Sequence, residues 1–116
     1  FYNANPSSMA VAIDNIGRLK AAHKVLILGD MFEMRQESAA EHEAVIKKAQ
    51  ETDVEERIFI GPEFSRQKVK GERRKVEFYS TVEEAANAFK SHPIRNATVL
   101  IKGSRGMALE RLVDLF

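Results

Sequence analysis

The chain has 116 residues, of which 44% are hydrophobic and 30% are charged, a composition typical of one globular domain with its own core. Its net charge of +1 gives no reason to expect a nucleic acid partner, and no apolar run approaches the roughly 20 residues of a membrane span. Cysteine is absent, which excludes disulfides and thiol chemistry.

Helical and strand patterns alternate along the chain. Apolar residues recur at helical spacing from about residue 8 to residue 20, and Ser7 or Ser8 is the expected cap of this first helix. Short apolar runs predict four buried strands, at residues 24–28, 57–60, 76–79 and 97–101.

Three further helices are predicted between and after these strands. Two of them begin with a capping box, in which a hydroxyl residue precedes a glutamate by three positions: Ser38 with Glu41, and Thr81 with Glu84. A last helix is predicted from about residue 105, with one apolar side formed by Ala108, Leu109, Leu112, Val113 and Phe116.

This alternation predicts an α/β fold, a three-layer α/β/α sandwich around a Rossmann-like, mainly parallel sheet, in a single domain. The first predicted element is a helix that opens on a turn, as though a strand preceded residue 1. The chain is therefore expected to be a fragment of a longer protein.

Polar residues follow the ends of the predicted strands. The carboxyl ends of parallel strands meet at one edge of a sheet, where ligands bind. A strand before residue 1 would bring Asn3 and Asn5 to this edge. Four segments follow the predicted strands: Gly29-Asp30, Gly61-Pro62, Ser80-Thr81 and Lys102-Gly103-Ser104-Arg105. Such an edge suits an anionic ligand, such as a phosphate or an amino-acid carboxylate.

The last of these segments carries the strongest signal for an anion. Lys102 and Arg105 flank a predicted helix start, whose free amide groups also attract negative charge. The sequence equally permits a plain strand-to-helix turn with solvated cations.

Other candidate residues at this edge also have plainer interpretations. Asp30 is expected either to face a ligand or to cap the following turn, and Glu33 is a loop carboxylate that solvent alone explains. His42 heads an apolar helix face, where a buried, hydrogen-bonded histidine is more common than a catalytic one.

Several kinds of site are not predicted. The three histidines lack metal-ligand spacing, so no metal site is expected within the chain. Neither G-x-x-x-x-G-K-[ST] nor G-x-G-x-x-G occurs, which leaves the chain without an evident means of holding a triphosphate or dinucleotide alone.

Three blocks resemble the C-terminal domain of the Mur ligases. Residues 2–9 read YNANPSSM, similar to the family's YNANP-x-SM. Residues 28–33 read LGDMFE, similar to LGDM-x-E, and a helix carrying His42 follows. Residues 102–107 read KGSRGM, with Glu110 after them, similar to KGSR followed by a helix start that contains methionine. Within the family, the blocks look most like the member that joins D-alanyl-D-alanine to UDP-N-acetylmuramoyl-tripeptide.

The resemblance implies a reaction of peptidoglycan synthesis in the bacterial cytoplasm. ATP phosphorylates the terminal carboxylate of UDP-N-acetylmuramoyl-tripeptide, and the amine of D-alanyl-D-alanine attacks the acyl phosphate to form an amide. In such enzymes a central domain holds the phosphate loop and Mg²⁺, and the C-terminal domain closes over it. The N-terminal and central domains are thus expected partners of residues 1–116, which should be inactive alone.

The resemblance also implies roles for particular residues, none of them catalytic within this domain. Tyr2, Asn3 and Asn5 match the block that faces the nucleotide and the cleft. Asp30, Glu33 and the following His42 match the second block, also at the cleft. Contact with the dipeptide carboxylate or with phosphates is implied for the third block, at Lys102, Ser104 and Arg105.

The chain departs from the family at Met34-Arg35, where Leu-Gly is usual. Two other functions stay open: a sister Mur ligase that adds a different amino acid, and a non-catalytic, flavodoxin-like α/β binding module. A phosphate loop upstream in the parent chain would reject the binding module.

Overall fold

Four parallel strands form the centre of the molecule. The structure is a computed structural model that describes residues 4–68 and 75–116. The strands lie in the order β3-β2-β1-β4, and each neighbouring pair is parallel. Their bounds are β1 (Lys24–Gly29), β2 (Glu56–Ile60), β3 (Lys75–Tyr79) and β4 (Thr98–Lys102). All four predicted strands are confirmed, and their ends shift by no more than one residue.

Helices cover both faces of this sheet, which confirms the predicted three-layer α/β fold. One face packs against α1 (Pro6–Arg18), α2 (Ser38–Gln50) and α3 (Pro62–Arg66), and the other against α4 (Val82–Ser91) and the C-terminal segment. Alternate side chains of β1 enter the two cores, because successive residues of a strand point to opposite faces. Leu26 and Leu28 lie in the first core, and Val25 and Ile27 in the second.

The first helix begins earlier than predicted. Asn5, rather than Ser7 or Ser8, caps α1: its Oδ1 accepts a hydrogen bond from the Ser8 amide at 2.8 Å. Ser8 Oγ accepts one in return from the Asn5 amide at 3.1 Å, and Pro6 occupies the first helical position. The prediction that a serine caps this helix is wrong, because proline at the first helical position fixes the cap at Asn5, two residues before Ser7.

The predicted capping box at Ser38 is also wrong. A short 3-10 turn, Arg35–Glu37, leads directly into α2, and the Ser38 amide donates to the carbonyl of Arg35 within that turn. The helix start therefore does not need the Ser38 hydroxyl, which donates instead to Glu63 on α3 at 2.6 Å. Thr81 does cap α4, where its Oγ1 accepts from the Glu84 amide at 3.1 Å.

The C-terminal helix differs most from its prediction. It consists of two 3-10 segments, Arg105–Met107 and Leu109–Leu115, separated by Ala108 in the left-handed region with φ 54°. A 3-10 helix has three residues per turn, so Leu109, Leu112 and Leu115 share the side that enters the second core. Val113 and Phe116, predicted to be on the apolar face, are exposed.

Two buried cations hold the ends of helices at the opposite, amino edge of the sheet. Lys24 Nζ donates to the carbonyls of Ile16, Gly17 and Leu19 at 3.0 to 3.2 Å, where α1 ends. Arg57 donates to the carbonyl of Ala49, in the last turn of α2, at 2.6 Å. These cations add charged donors to carbonyl groups at the carboxyl ends of the two helices, where the negative end of the helix dipole lies.

We expect Lys24→Met to lower the free energy of unfolding by about 2 to 3 kcal/mol, because partly buried carbonyls lose a charged donor. Urea denaturation measures this. Lys48→Met is the matched control: Lys48 pairs with the exposed Asp14 at 2.9 Å, and its loss is expected to cost less than about 1 kcal/mol. Equal losses in the two variants would contradict the capping role of Lys24.

Glu56 links two basic side chains, of His23 and Lys75, beside this edge. Its carboxylate lies 2.7 Å from His23 Nε2 and 3.0 Å from Lys75 Nζ. Burial acts to raise the pKa of Glu56, but the hydrogen bonds from His23 and Lys75 outweigh it and hold the pKa below 4.5.

This lowered pKa makes stability depend on pH in a defined direction. The ionised carboxylate stabilises the fold above the unfolded-state pKa, and the contribution is lost as the pH falls through the folded-state pKa. We expect wild type to melt at a higher temperature than Glu56→Gln at about pH 7, and the difference to shrink as the pH falls through the folded-state pKa of Glu56. A difference in melting temperature that does not change with pH would contradict this.

Candidate ligand cleft at the carboxyl edge of the sheet

A cleft of about 400 Å³ opens where β1 and β2 end. The loop that follows β1, residues 30–37, forms one wall, and the start of α3 and Met107 form the rest. Its lining is largely apolar with a few charged side chains, as is common in small-molecule sites. The lining residues are Asp30, Met31, Phe32, Glu33, Met34, Arg35, Ser38, Pro62, Glu63 and Met107.

Asp30 is buried at the base of this cleft, where its carboxylate caps the amino end of α3. Its two carboxylate oxygens accept hydrogen bonds from the amides of Glu63, at 2.8 Å, and Phe64, at 2.9 Å. Burial raises the pKa of Asp30, although these two hydrogen bonds act in the opposite direction. Gly61 lies directly against the carboxyl group and has φ 130°. The sequence permitted either a cap or a ligand contact at Asp30, and the observed geometry includes the cap.

His42 lies beneath the cleft loop and is completely buried. Its Nε2 accepts a hydrogen bond from the Met31 amide at 3.0 Å, and its Nδ1 donates to the carbonyl of Ser38 at 2.7 Å. These two partners assign the neutral tautomer with the proton on Nδ1. The nearest Asp30 oxygen, 3.9 Å from Nε2, is therefore a neighbour rather than an ionic partner. His42 supports the loop from below.

Ser104 supports the same loop from the other side. Its Oγ accepts a hydrogen bond from the Phe32 amide at 2.7 Å, and its own amide donates to the carbonyl of Asp30 at 3.0 Å. Gly103 is required beside it, because a Cβ there would stand 2.9 Å from the Cα of Gly29. His42 and Ser104 thus bind two successive amides, of Met31 and Phe32, and fix the path of the loop.

Lys102 and Arg105 flank this buried serine and have no partner among the residues that the structure describes. Lys102 is partly exposed at the end of β4, and Arg105 is exposed. Within residues 4–68 and 75–116, neither side chain makes a hydrogen bond or an ion pair. Because the segment after them is a short 3-10 turn, the predicted helix start is absent, and the two side-chain charges alone carry the attraction for anions.

The remaining predicted residues of the first block lie to one side. Tyr2 and Asn3 fall outside the described residues. Asn5 is exposed, caps α1 and lines a second depression of about 480 Å³, which shares Met34 with the first cleft. The structure therefore brings Asn5 of the first block close to the loop that continues from the second block.

Glu33 and Arg35 form the crest of the cleft loop. Both are exposed and both adopt the left-handed region, with φ 63° and 53°. Arg35 stands where the family usually has glycine, so the turn keeps a glycine-like conformation without the glycine. Both charged side chains line the cleft.

Glu63 is a cleft residue that the sequence analysis missed. Its carboxylate accepts the hydrogen bond from Ser38 and forms an ion pair with Arg66. The Ser38 hydrogen bond is the largest cause of a pKa of Glu63 below its ordinary value, so the group stays ionised. The signal was present: Pro62 at the first position of a helix with an acidic residue after it marks a helix start.

Two other features bear on what the site can hold. Within residues 4–68 and 75–116, no group of three or more histidine or acidic side chains is placed to hold a metal ion. None of the helices in this part of the chain combines the length and apolar character needed to span a bilayer.

Comparison with known proteins identifies relatives of the whole chain. The UDP-N-acetylmuramoyl-tripeptide–D-alanyl-D-alanine ligase of Treponema pallidum is 39% identical over 118 residues, covering 98% of this chain and 26% of the relative. A crystal structure of MurF from Acinetobacter baumannii superposes with a TM-score of 0.79 at 29% identity, over 98% of this chain and 26% of that one. The chain spans about a quarter of the length of these relatives.

A further structure shares the fold alone. MurF ligase from Thermotoga maritima, solved in complex with ADP, has a TM-score of 0.76 at 24% identity, over 99% of this chain and 26% of that chain. The family model described as Mur ligase, glutamate ligase domain, matches residues 1–105. The resemblance of the three blocks is confirmed, and this chain belongs to the Mur ligase family, within that domain.

Proposed function

We propose that residues 1–116 are the C-terminal domain of a bacterial, cytoplasmic ligase with N-terminal and central domains elsewhere in the parent chain. The proposed enzyme joins D-alanyl-D-alanine to UDP-N-acetylmuramoyl-tripeptide through an acyl phosphate, in peptidoglycan synthesis. The names of the similar proteins support this reaction. The observation that carries the proposal is that Lys102 and Arg105 lie near a preformed cleft without a partner in the described part of the chain, whose sequence has no phosphate loop.

Each part of the cleft edge has a role in this proposal. Lys102 and Arg105 neutralise the carboxylate of the incoming dipeptide and orient its amine towards the acyl phosphate. Tyr2, Asn3 and Asn5 face the nucleotide, while Glu33 lies at the cleft itself. Asp30, His42 and Ser104 hold the cleft loop and α3 in place. Closure of the domain excludes water from the reacting groups.

ATP and Mg²⁺ are the proposed cofactors, held mainly by the central domain. The part of the chain that the structure describes holds no group of three or more histidine or acidic side chains placed to bind a metal ion. When bound, Mg²⁺ would neutralise phosphate charge during phosphoryl transfer. In this proposal the domain contributes the cationic side chains of Lys102 and Arg105 and one wall of the active site.

Phosphate release by the full-length parent protein tests the proposed reaction. The assay contains ATP, Mg²⁺ and UDP-N-acetylmuramoyl-tripeptide, with or without D-alanyl-D-alanine. We expect release that depends on the dipeptide. Release that depends instead on a single amino acid would assign the protein to a sister ligase. No release with any acceptor would favour a non-catalytic binding module and contradict the proposal.

A further inference from the structure

We propose that the cleft binds the acceptor dipeptide as a zwitterion lying across the end of β1, with its ammonium group at Glu63 and its carboxylate at Lys102 and Arg105. This inference rests on the proposed function and adds to it the orientation of the acceptor. It also assigns a binding role to Glu63, which lies outside the three blocks shared with the family.

The order of the strands places opposite charges on the two sides of β1: Glu63 lines the cleft, and Lys102 and Arg105 lie beyond it on the far side of that strand. Glu63 follows β2, Lys102 and Arg105 follow β4, and β1 lies between these two strands. Neighbouring strands are about 4.8 Å apart, so the backbones that carry the two charges are separated by about 10 Å. A ligand lying across β1 therefore meets a carboxylate at one end and cations at the other.

The carboxylate of Glu63 is held in an orientation in which it can bind a cationic group. Ser38 donates to one of its oxygens at 2.6 Å and Arg66 pairs with the other, which together fix the direction of the carboxylate. A carboxylate has about four acceptor positions, so further positions stay open to a ligand. About one third of the side chain is exposed, at 33%, and Glu63 lines the cleft.

Between the charges, the cleft offers an apolar surface. Phe32 is 45% exposed although it is held in place, because its amide is bound by Ser104 and its ring packs on Gly106. Met107 lines the same space. A fixed, exposed aromatic ring beside opposite charges suits a small zwitterion with methyl side chains, which is the chemistry of D-alanyl-D-alanine.

The backbone segments that carry the two charges are about 10 Å apart, a separation that a dipeptide can span. The ends of an extended dipeptide lie up to about 7 Å apart, compared with about 3.5 Å for one residue. With a charge-assisted contact of about 2.8 Å at each end, the dipeptide spans this separation with length to spare. We therefore expect the loss of Glu63 to weaken binding of the acceptor specifically.

The test is steady-state kinetics of the full-length parent protein with D-alanyl-D-alanine as the varied substrate. Glu63→Gln keeps an oxygen that accepts from the Ser38 hydroxyl, and removes the negative charge together with the ion pair to Arg66. We expect the KM for the dipeptide to rise about tenfold, with the KM for ATP changed less than about twofold. Glu83→Gln is the matched control, because Glu83 is also in the first turn of a helix and pairs with Arg111 at 3.1 Å.

The outcomes separate this inference from the proposed function. An unchanged dipeptide KM in Glu63→Gln, or equal increases for all substrates, would overturn the assignment of Glu63 while the ligase reaction stands. Arg35 also lines the cleft, so a rise in dipeptide KM in Arg35→Ala but not in Lys102→Ala would overturn the proposed direction. No dipeptide-dependent phosphate release by the wild type would overturn both proposals.

Discussion

Replacing both Lys102 and Arg105 with alanine is expected to lower kcat/KM for the dipeptide at least about 100-fold in the full-length protein. Each charge-assisted hydrogen bond to a substrate carboxylate contributes about 1.5 to 3 kcal/mol, and the double variant removes both cations. The melting temperature should change little, because neither side chain has a hydrogen-bonding or ionic partner in the described parts of the chain. Phosphate release and thermal melting of the same preparation measure the two effects.

The control for this variant removes the same charge from the other end of the molecule. Lys90 and Arg95 are both exposed, away from the cleft, and line a different depression. Lys90→Ala with Arg95→Ala should leave kcat/KM within about twofold of wild type. Unchanged turnover in the Lys102 and Arg105 variant would remove the argument for an anion site at this edge.

Gly61→Ala is expected to have the largest effect on stability, a loss of about 3 kcal/mol or more in the free energy of unfolding. Gly61 has φ 130°, a conformation that residues with a Cβ rarely adopt. An added methyl group would also overlap the Asp30 carboxyl group, which is buried and holds the start of α3. Because the Asp30 carboxylate is bound to the amides of Glu63 and Phe64, its displacement is expected to shift α3 and the Glu63 wall of the cleft.

Gly17→Ala provides the same chemical change in an ordinary helical position. The new methyl group would meet only the side-chain methyl of Thr52, at 2.9 Å, while alanine favours a helix by about 1 kcal/mol. These effects oppose each other, so the midpoint of urea denaturation should stay close to that of wild type. A Gly61→Ala variant as stable as Gly17→Ala would contradict the role assigned to the Asp30 cap.

The strands could be predicted from sequence because their signal is local. Runs such as Val25 to Leu28 are apolar on both faces, and only a central parallel strand buries such a run in this way. The C-terminal helix was not predictable in the same manner. Its 3-10 form depends on distant contacts, of Gly106 with Phe32 and of Leu109 with Gly29, which no local pattern reveals.

The candidate site could likewise be predicted only in part. The sequence placed Lys102, Arg105 and Asp30 at one edge, since residues that follow parallel strands must meet there. It did not reveal that His42 and Ser104 are buried supports for successive amides of one loop. It also missed Glu63, because the orientation of that carboxylate is set by Ser38, from a helix 25 positions earlier in the chain.

The most direct test of the proposed role of this edge is a crystal structure of the full-length protein with D-alanyl-D-alanine, UDP-N-acetylmuramoyl-tripeptide and a non-hydrolysable ATP analogue. We expect this domain closed over the nucleotide, with the dipeptide in the cleft and its carboxylate within about 3 Å of Lys102 or Arg105. A dipeptide bound wholly by the other domains, with the carboxyl edge of this sheet left open to solvent, would contradict the account.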